Sequence, residues 1–341
     1  MISSSFTENF PQPAPRQTAN GGCTAEYTTA VILLGPTGSG KTALSLALGE
    51  RFNGEIVSCD SVAVYRGMDL GSAKPAAEER ARLPHHLVDV TDPDQPFTAG
   101  EYSRQARAAL AAIAERGRLP IVTGGTGLYL RALTDGLFDG PPRQDELRAR
   151  LQKSHLRWGG DWLHRVLRRI DAASAERIHA NDTPKLMRAI EVGLAHHQPL
   201  SAALEDKEKS RDPLTGFRLL RIGLSPPRAA LYDRLNHRCA EIFAAGLVEE
   251  TRGLMERFGP VKAFDALGYR QALAVLAGSL DESEALQQAQ QGHRNYAKRQ
   301  LSWFRREPEV HWIEDFGDSS AALRWAISLV EANLAASAPA V

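Results

Sequence analysis

The stretch Gly35-Pro36-Thr37-Gly38-Ser39-Gly40-Lys41-Thr42 constrains the fold more than any other part of this chain. It fits the pattern of a glycine, four residues and Gly-Lys-Ser/Thr without a mismatch. It stands between the apolar run Val31-Ile32-Leu33-Leu34 and a helical pattern that starts at Ala43. A strand that turns through glycines directly into a helix is the setting such a loop requires. Glycines let successive N–H groups curl around an anion with no Cβ in the way. The helix N-terminus adds unsatisfied donors and a partial positive charge. Lys41 neutralises phosphate oxygens, and the Thr42 hydroxyl suits Mg²⁺, a hard cation that takes oxygen ligands. The loop therefore points to a diphosphate or triphosphate, without naming the molecule that carries it or the bond that breaks.

Apolar runs separated by helical patterns continue through the first half. Val31–Leu34, Glu55–Ser58, His86–Val90 and Pro120–Thr123 read as strands, with helices over 42–52, 76–83 and 98–117. Alternating strands and helices predict a parallel sheet with helices on both faces. Further strands are expected at Arg218–Leu224 and Val310–Ile313. Residues 138–213 differ: Asp145–Lys153, Trp162–Ile170, Ala172–His179 and Pro184–Ala195 carry helical periods with little β-branching. Thr183-Pro184 reads as a helix start, a capping hydroxyl followed by proline at the first helical position. Glu205–Arg211 reads as a solvated loop, and the chain is helical again from Arg228 to Phe258 and from Asp281 to Arg306. The fold class is α/β, a P-loop-type parallel sheet flanked by helices with an inserted all-helical domain. The expected organisation is a disordered tail over 1–29, a core over 30–137 and 214–320, the helical insertion over 138–213, and a C-terminal helix and tail over 321–341.

Composition narrows the function classes. Lys plus Arg and Asp plus Glu each number 41, so any nucleic-acid surface must be local rather than global. Cys23, Cys59 and Cys239 show neither a Cys-x-x-Cys pair nor zinc-ligand spacing, which suits a reducing, cytoplasmic setting. No apolar run approaches the roughly 20 residues of a membrane span.

Four more segments carry chemistry. Ile56-Val57-Ser58-Cys59-Asp60-Ser61 puts a carboxylate at the C-terminal end of a strand, the edge where open α/β sheets bind ligands. Asp60 suits proton acceptance or Mg²⁺; a plain cap on the next turn is the alternative. Val122-Thr123-Gly124-Gly125-Thr126-Gly127 brings paired glycines to the same edge, for close approach to a ligand or for a tight turn. Arg234 and Arg238, one helical turn apart, suit a phosphate clamp, or a solvated face paired with carboxylates. In the segment 293–306, Arg294, Lys298, Arg299, Arg305 and Arg306 fall on one arc opposite Ala297, Trp303 and Phe304, a face for an RNA backbone or a plain basic surface.

Together these segments resemble the tRNA dimethylallyltransferases, in the bacterial form, over roughly residues 30 to 315. The match runs through the phosphate loop, Asp60-Ser61 with Tyr65, and Arg66-Gly67-Met68-Asp69-Leu70-Gly71-Ser72-Ala73-Lys74-Pro75. It continues in Gly124-Gly125-Thr126-Gly127-Leu128-Tyr129, Arg188-Ala189-Ile190-Glu191, Gly268-Tyr269-Arg270-Gln271, and Lys298-Arg299-Gln300 with Trp303. The resemblance implies transfer of a dimethylallyl group from dimethylallyl diphosphate to N6 of adenine 37, in tRNAs reading codons that begin with U. It implies that Gly35, Thr37, Gly38, Ser39, Gly40, Lys41 and Thr42 hold the diphosphate, with Mg²⁺ on Thr42. Asp60, Thr42 and Arg238 are the implied catalytic residues, Asp60 as base and Arg238 on the phosphates. The implied tRNA contacts are Asp60, Ser61, Val62, Ala63, Thr126, Arg148, Pro184, Lys185, Leu186, Met187, Arg188, Gly268, Tyr269, Arg270, Lys298, Arg299, Gln300 and Arg305. The insertion is expected to contact the anticodon stem-loop, and the chain to act as a cytoplasmic monomer.

Asp265 departs from the family pattern, standing where a more basic residue is expected, and no C-terminal zinc finger follows. A small-metabolite kinase would use the same loop but leaves Asp60-Ser61 and Lys298-Arg299-Gln300 unexplained. A transferase acting on free adenine nucleotides would need neither the insertion nor the basic helix. A nucleotide-gated RNA-binding module would release no diphosphate.

Overall fold

The computed structural model describes residues 27–137, 144–196, 199–202 and 212–336. Most of the expected N-terminal tail and the loop over 205–211 lie outside them. The chain forms two compact units, residues up to Thr134 together with those from Leu214, and residues Asp135–Pro213.

The first unit is built on one six-stranded sheet: β1 (Thr28–Leu34), β2 (Gly54–Cys59), β3 (His85–His86), β4 (Leu119–Gly124), β5 (Phe217–Leu224) and β6 (Val310–Ile313). The strand order is β3-β2-β4-β1-β5-β6 and every pairing is parallel. β1 lies between β4 and β5, with Val31 opposite both Ile121 and Leu220. Buried on both faces, it reads as a continuous apolar run, as parallel strands do.

Alternation along β1 divides the core. Val31 and Leu33 pack with Leu44 and Leu48 of helix Lys41–Arg51 and with Ala326 and Val330 of helix Ser320–Ala335. Ile32 and Leu34 face the other way, towards Ala106, Leu110 and Ile113 of helix Ala99–Glu115 and Phe304 of helix Glu282–Phe304. A third cluster joins Met68 to Leu247, Leu254, Phe264 and Tyr269, beneath the segment 66–75.

Three expectations are corrected. The strand expected over 86–90 is only His85–His86, because Leu87 and Asp89 take positive φ of 62° and 56° and leave the sheet. The helix expected from Arg228 to Phe258 is two, Arg228–Ala244 and Leu247–Phe258, broken at Gly246 with φ 99°. In the second unit, the cap of helix Thr183–His196 is Asp182 rather than Thr183: the Lys185 amide donates to Asp182 Oδ1 at 3.4 Å and the Leu186 amide to its carbonyl at 2.9 Å.

The described residues of the second unit include helices Asp145–Trp158, Trp162–Ile170, Ala172–Arg177 and Thr183–His196. Their apolar faces meet in one cluster of Leu151, Leu163, Leu167, Leu186, Met187 and Ile190. The amphipathic pattern needs no sheet to bury itself.

Candidate active site

The phosphate loop leaves the C-terminal end of β1 and enters helix Lys41–Arg51. Gly38 and Gly40 take φ of 79° and 86°, and a Cβ on Gly40 would lie 2.8 Å from the Gly317 amide nitrogen. Both the dihedral and the close backbone thus require glycine. The Gly317 amide donates to the Ser39 carbonyl at 2.8 Å and backs the loop from the segment after β6. The Ser39 Oγ is buried without a hydrogen-bond partner. Lys41 Nζ lies over the loop and donates to the carbonyls of Gly35 at 2.9 Å and Pro36 at 2.8 Å. Burial pushes the Lys41 ammonium down to about 8; the Asp60 charge opposes this and the Arg238 charge adds to it.

β2 delivers Asp60 to the same edge. Its Oδ1 accepts from the amides of Val62 at 2.8 Å and Ala63 at 3.1 Å. The capping role weighed above is therefore real, and it uses one oxygen; Oδ2 makes no hydrogen bond among the described residues. β4 delivers Thr126, whose Oγ1 accepts from the Ser61 amide at 3.1 Å and donates to Ser61 Oγ at 3.3 Å. Burial, reinforced by the Asp60 charge, raises the Tyr296 phenol to about 12.

The two arginines of helix Arg228–Ala244 part company. Arg234 binds Asp318 at 3.0 Å and stacks on the Phe316 ring at 3.8 Å, so it follows the surface-pair reading. Arg238 lies deeper, and burial lowers its pKa against the opposing charges of Cys239 and Asp60. Lys41, Thr42, Asp60 and Arg238 line one cavity of about 630 Å³, together with His293 and Tyr296. Burial and the charges of Arg238 and Arg270 take the His293 imidazole down to about 4, which leaves it neutral at pH 7. Cations, a carboxylate oxygen and the start of a helix thus converge on one space. Such a set has the chemistry to hold an anionic leaving group and to accept a proton.

The other expected contacts divide by burial. Arg270, Lys298, Arg299 and Arg305 are exposed. Arg270 and Arg299 also line the cavity, as does Asp265, and Arg299 lies 5.6 Å from the Tyr296 ring centroid. Gly268 and Tyr269 are buried; the Tyr269 hydroxyl donates to Glu250 at 2.6 Å and accepts from the Gly71 amide at 3.2 Å. They support the segment 66–75 from beneath rather than reaching solvent. Gln300, 5% exposed, is likewise interior.

In the second unit Pro184 and Lys185 are exposed, but Leu186 and Met187 belong to its core, so their expected surface contact is corrected. Arg148 and Arg188 both bind Glu191, at 3.0 and 2.7 Å, and the Gln144 amide donates to the same carboxylate at 2.6 Å. Burial raises the Glu191 pKa, and these donors outweigh it and bring it to about 2.

Sequence reasoning assigned no role to His293, Tyr296 or Lys74. The first two stood in the basic segment, where their neighbours' charges drew the attention. Lys74 is 3% exposed and ties Asp69 at 2.7 Å, Asp89 at 2.5 Å and the Tyr65 carbonyl at 2.5 Å. A lysine buried among three oxygens leaves no local sequence signal.

The family described as IPP transferase matches residues 63–307. The tRNA dimethylallyltransferase of Koribacter versatilis is 58% identical over 89% of this chain and 98% of its own length. That of Solibacter usitatus is 52% identical over 85% and 94%. The crystal structure of the full-length tRNA isopentenylpyrophosphate transferase from Bacillus halodurans superposes with a TM-score of 0.66 at 35% identity, over 91% of this chain and 97% of that one. A eukaryotic dimethylallyltransferase acting on tRNA shares the fold, with a TM-score of 0.74 at 22% identity.

Proposed function

The chain belongs to the IPP transferase family, the tRNA dimethylallyltransferases, and from that premise we propose that it moves the dimethylallyl group of dimethylallyl diphosphate onto N6 of adenine 37 in tRNAs reading codons that begin with U. The convergence of Lys41, Arg238 and Asp60 on one cavity carries this reading.

The diphosphate sits in the phosphate loop. The amides of Gly38, Gly40, Lys41 and Thr42 have no acceptor among the described residues and are the donors that meet its oxygens. As the allylic C–O bond breaks, negative charge grows on the leaving group, and Lys41 and Arg238 stabilise it. The carbon left behind is cation-like, and the adenine amine attacks it to form the C–N bond. That amine is a weak nucleophile because its lone pair is delocalised into the ring. Asp60 Oδ2 takes its proton as the bond forms. The products are N6-(dimethylallyl)adenosine and diphosphate.

The Thr42 hydroxyl makes no hydrogen bond among the described residues, which fits a ligand to Mg²⁺. No cluster of three or more His, Cys, Asp or Glu suited to a metal occurs there, so substrate phosphates and water would complete the shell. Bound there, Mg²⁺ supplies further charge neutralisation of the leaving diphosphate. Adenine 37 must leave its stack to enter the cavity, as target bases do for other modifying enzymes. The exposed Lys298, Arg299 and Arg305 are the phosphate contacts of the first unit; Lys185 and Pro184 are the exposed candidates of the second. One chain supplies every group used here, which supports action as a monomer. Cys59 and Cys239, both free thiols, suit the cytoplasm.

Mass spectrometry of an unmodified anticodon stem-loop incubated with the protein, Mg²⁺ and dimethylallyl diphosphate tests the reading. One added C5H8 unit at adenine 37 is expected. An unmodified RNA beside prenylated AMP in the control would overturn it in favour of a free-nucleotide transferase.

A further inference from the structure

Gln300 lies on helix Glu282–Phe304 between exposed cations and the phosphate loop, and the mechanism above leaves it unused. Its Oε1 accepts from the Thr37 amide at 2.9 Å, and its Nε2 donates to the Gly125 carbonyl at 2.9 Å. Thr37 belongs to the loop that takes the anion. Gly125 belongs to the turn that hands Thr126 to Ser61, next to Asp60. One side-chain amide thus spans the part of the site that holds the leaving group and the part that accepts the proton.

Two observations show that the span is built in. A Cβ on Gly125 would lie 2.1 Å from Gln300 Nε2, so the amide reaches its carbonyl only because residue 125 is glycine. Within the loop, the Thr37 amide is committed to Gln300, whereas those of Gly38, Gly40, Lys41 and Thr42 have no acceptor among the described residues. Fixing the first half of the loop leaves the second half's donors aimed at the cavity. Gln300 itself, 5% exposed and engaged at both ends of its amide, is turned inward, while Lys298 and Arg299 on the same turn face solvent.

We propose that Gln300 is a positioning residue: it braces the phosphate loop against the Gly124-Gly125-Thr126 turn and so sets the diphosphate site relative to Asp60. The proposal rests on reading that loop as the diphosphate site. It places Gln300 on the diphosphate side of the reaction rather than among the RNA contacts.

The test uses the full chain with Mg²⁺, inorganic pyrophosphate binding by calorimetry, and tRNA binding across a salt series. Gln300→Met keeps the side chain's length and removes both hydrogen bonds. Gly125→Ala keeps Gln300 and displaces only its far end. Each is expected to weaken pyrophosphate binding about tenfold, the order expected for lost hydrogen bonds in a charged site. The double variant should be about as weak as either single one, since both break the same brace. The tRNA affinity and its salt slope should stay within about twofold of wild type. Pyrophosphate affinity unchanged in both variants, or a loss that falls on the tRNA salt slope instead, would overturn the proposal. Should Gln300→Met fail to fold, Gly125→Ala carries the test alone. Wild-type protein that binds pyrophosphate but never prenylates the stem-loop would refute the transferase reading and not the brace.

Discussion

Asp60 uses one oxygen in the fold: Oδ1 holds the amides of Val62 and Ala63, and Oδ2 is left for the proton that the proposed mechanism gives it. Asp60→Asn keeps an acceptor for the amides, so the turn should persist while proton acceptance is lost. Single-turnover rates should fall about 100-fold to 10,000-fold, with pyrophosphate and tRNA affinities nearly unchanged; near-normal turnover would remove Asp60 from the base role. Lys41, held down at about 8, gives a second expectation. A bound diphosphate favours the ammonium, so its pKa rises on binding and a proton is taken up. Affinity should be full below about pH 8 and fall as pH rises beyond it. Calorimetry at pH 8.5 in buffers of different ionisation enthalpy reads that uptake, and Lys41→Arg should abolish it, because a guanidinium stays charged. The loop, Asp60 and Arg238 were legible in the sequence because each sits at a marked place, a glycine turn, a strand end or an arginine-bearing helix. The different fates of Arg234 and Arg238 were not. One-turn spacing puts both on one side of a helix, and only the arrival of Phe316 and Asp318 separates them.

At the scale of the element, helix Glu282–Phe304 combines a buried side, Ala297 and Phe304, with exposed Lys298 and Arg299, and Arg305 follows at its end. Replacing Lys298, Arg299 and Arg305 together with alanine should raise the KM for tRNA. The slope of log K against log salt should flatten by about 2, some 0.7 for each lost contact to a single strand. An unchanged slope would leave this helix as a plain basic surface. The helical arc predicted for this segment holds for Lys298 and Arg299 against Ala297 and Phe304, where period decides which residues face the core, whereas Arg294 is half-buried against Asn236 and Arg305 and Arg306 lie past the helix end. The strands were equally legible wherever they are buried on both faces. What failed was set from a distance. Asp89 takes its positive φ while Lys74 and Arg80 grip its carboxylate and the Ala63 carbonyl accepts from its amide, so the apolar look of 86–90 misled. Leu186 and Met187 match a family segment, yet their place on helix Thr183–His196 turns them into its core.

Across the whole molecule, each unit has a core of its own, and the helical unit's includes two buried acids, Asp171 and Glu191. Glu191 is normally a group of pKa near 4.5 and stands at about 2 in the fold. Its contribution to stability is therefore complete above about pH 4.5 and drains away as pH falls towards 2. Hydrogen exchange should show protection of residues 144–196 declining across that window. Glu191→Gln should flatten the pH dependence and cost about 3 kcal/mol at neutral pH, the low end for a broken buried pair because Arg188 is partly solvated.

The sheet order also bears on how the chain comes off the ribosome. β1 and its loop are made early, but β1 pairs with β5 as well as β4, and the loop is held by Gln300 and Gly317, which are made last. The segment that takes the anion thus waits, during synthesis, for nearly the whole polypeptide before its supports exist. A nascent chain stalled short of Gly317 also lacks helix Ser320–Ala335, whose Ala326 and Val330 cover Val31 and Leu33 of β1, so early termination exposes an apolar sheet face with no finished site and yields a species prone to aggregation rather than a weak enzyme.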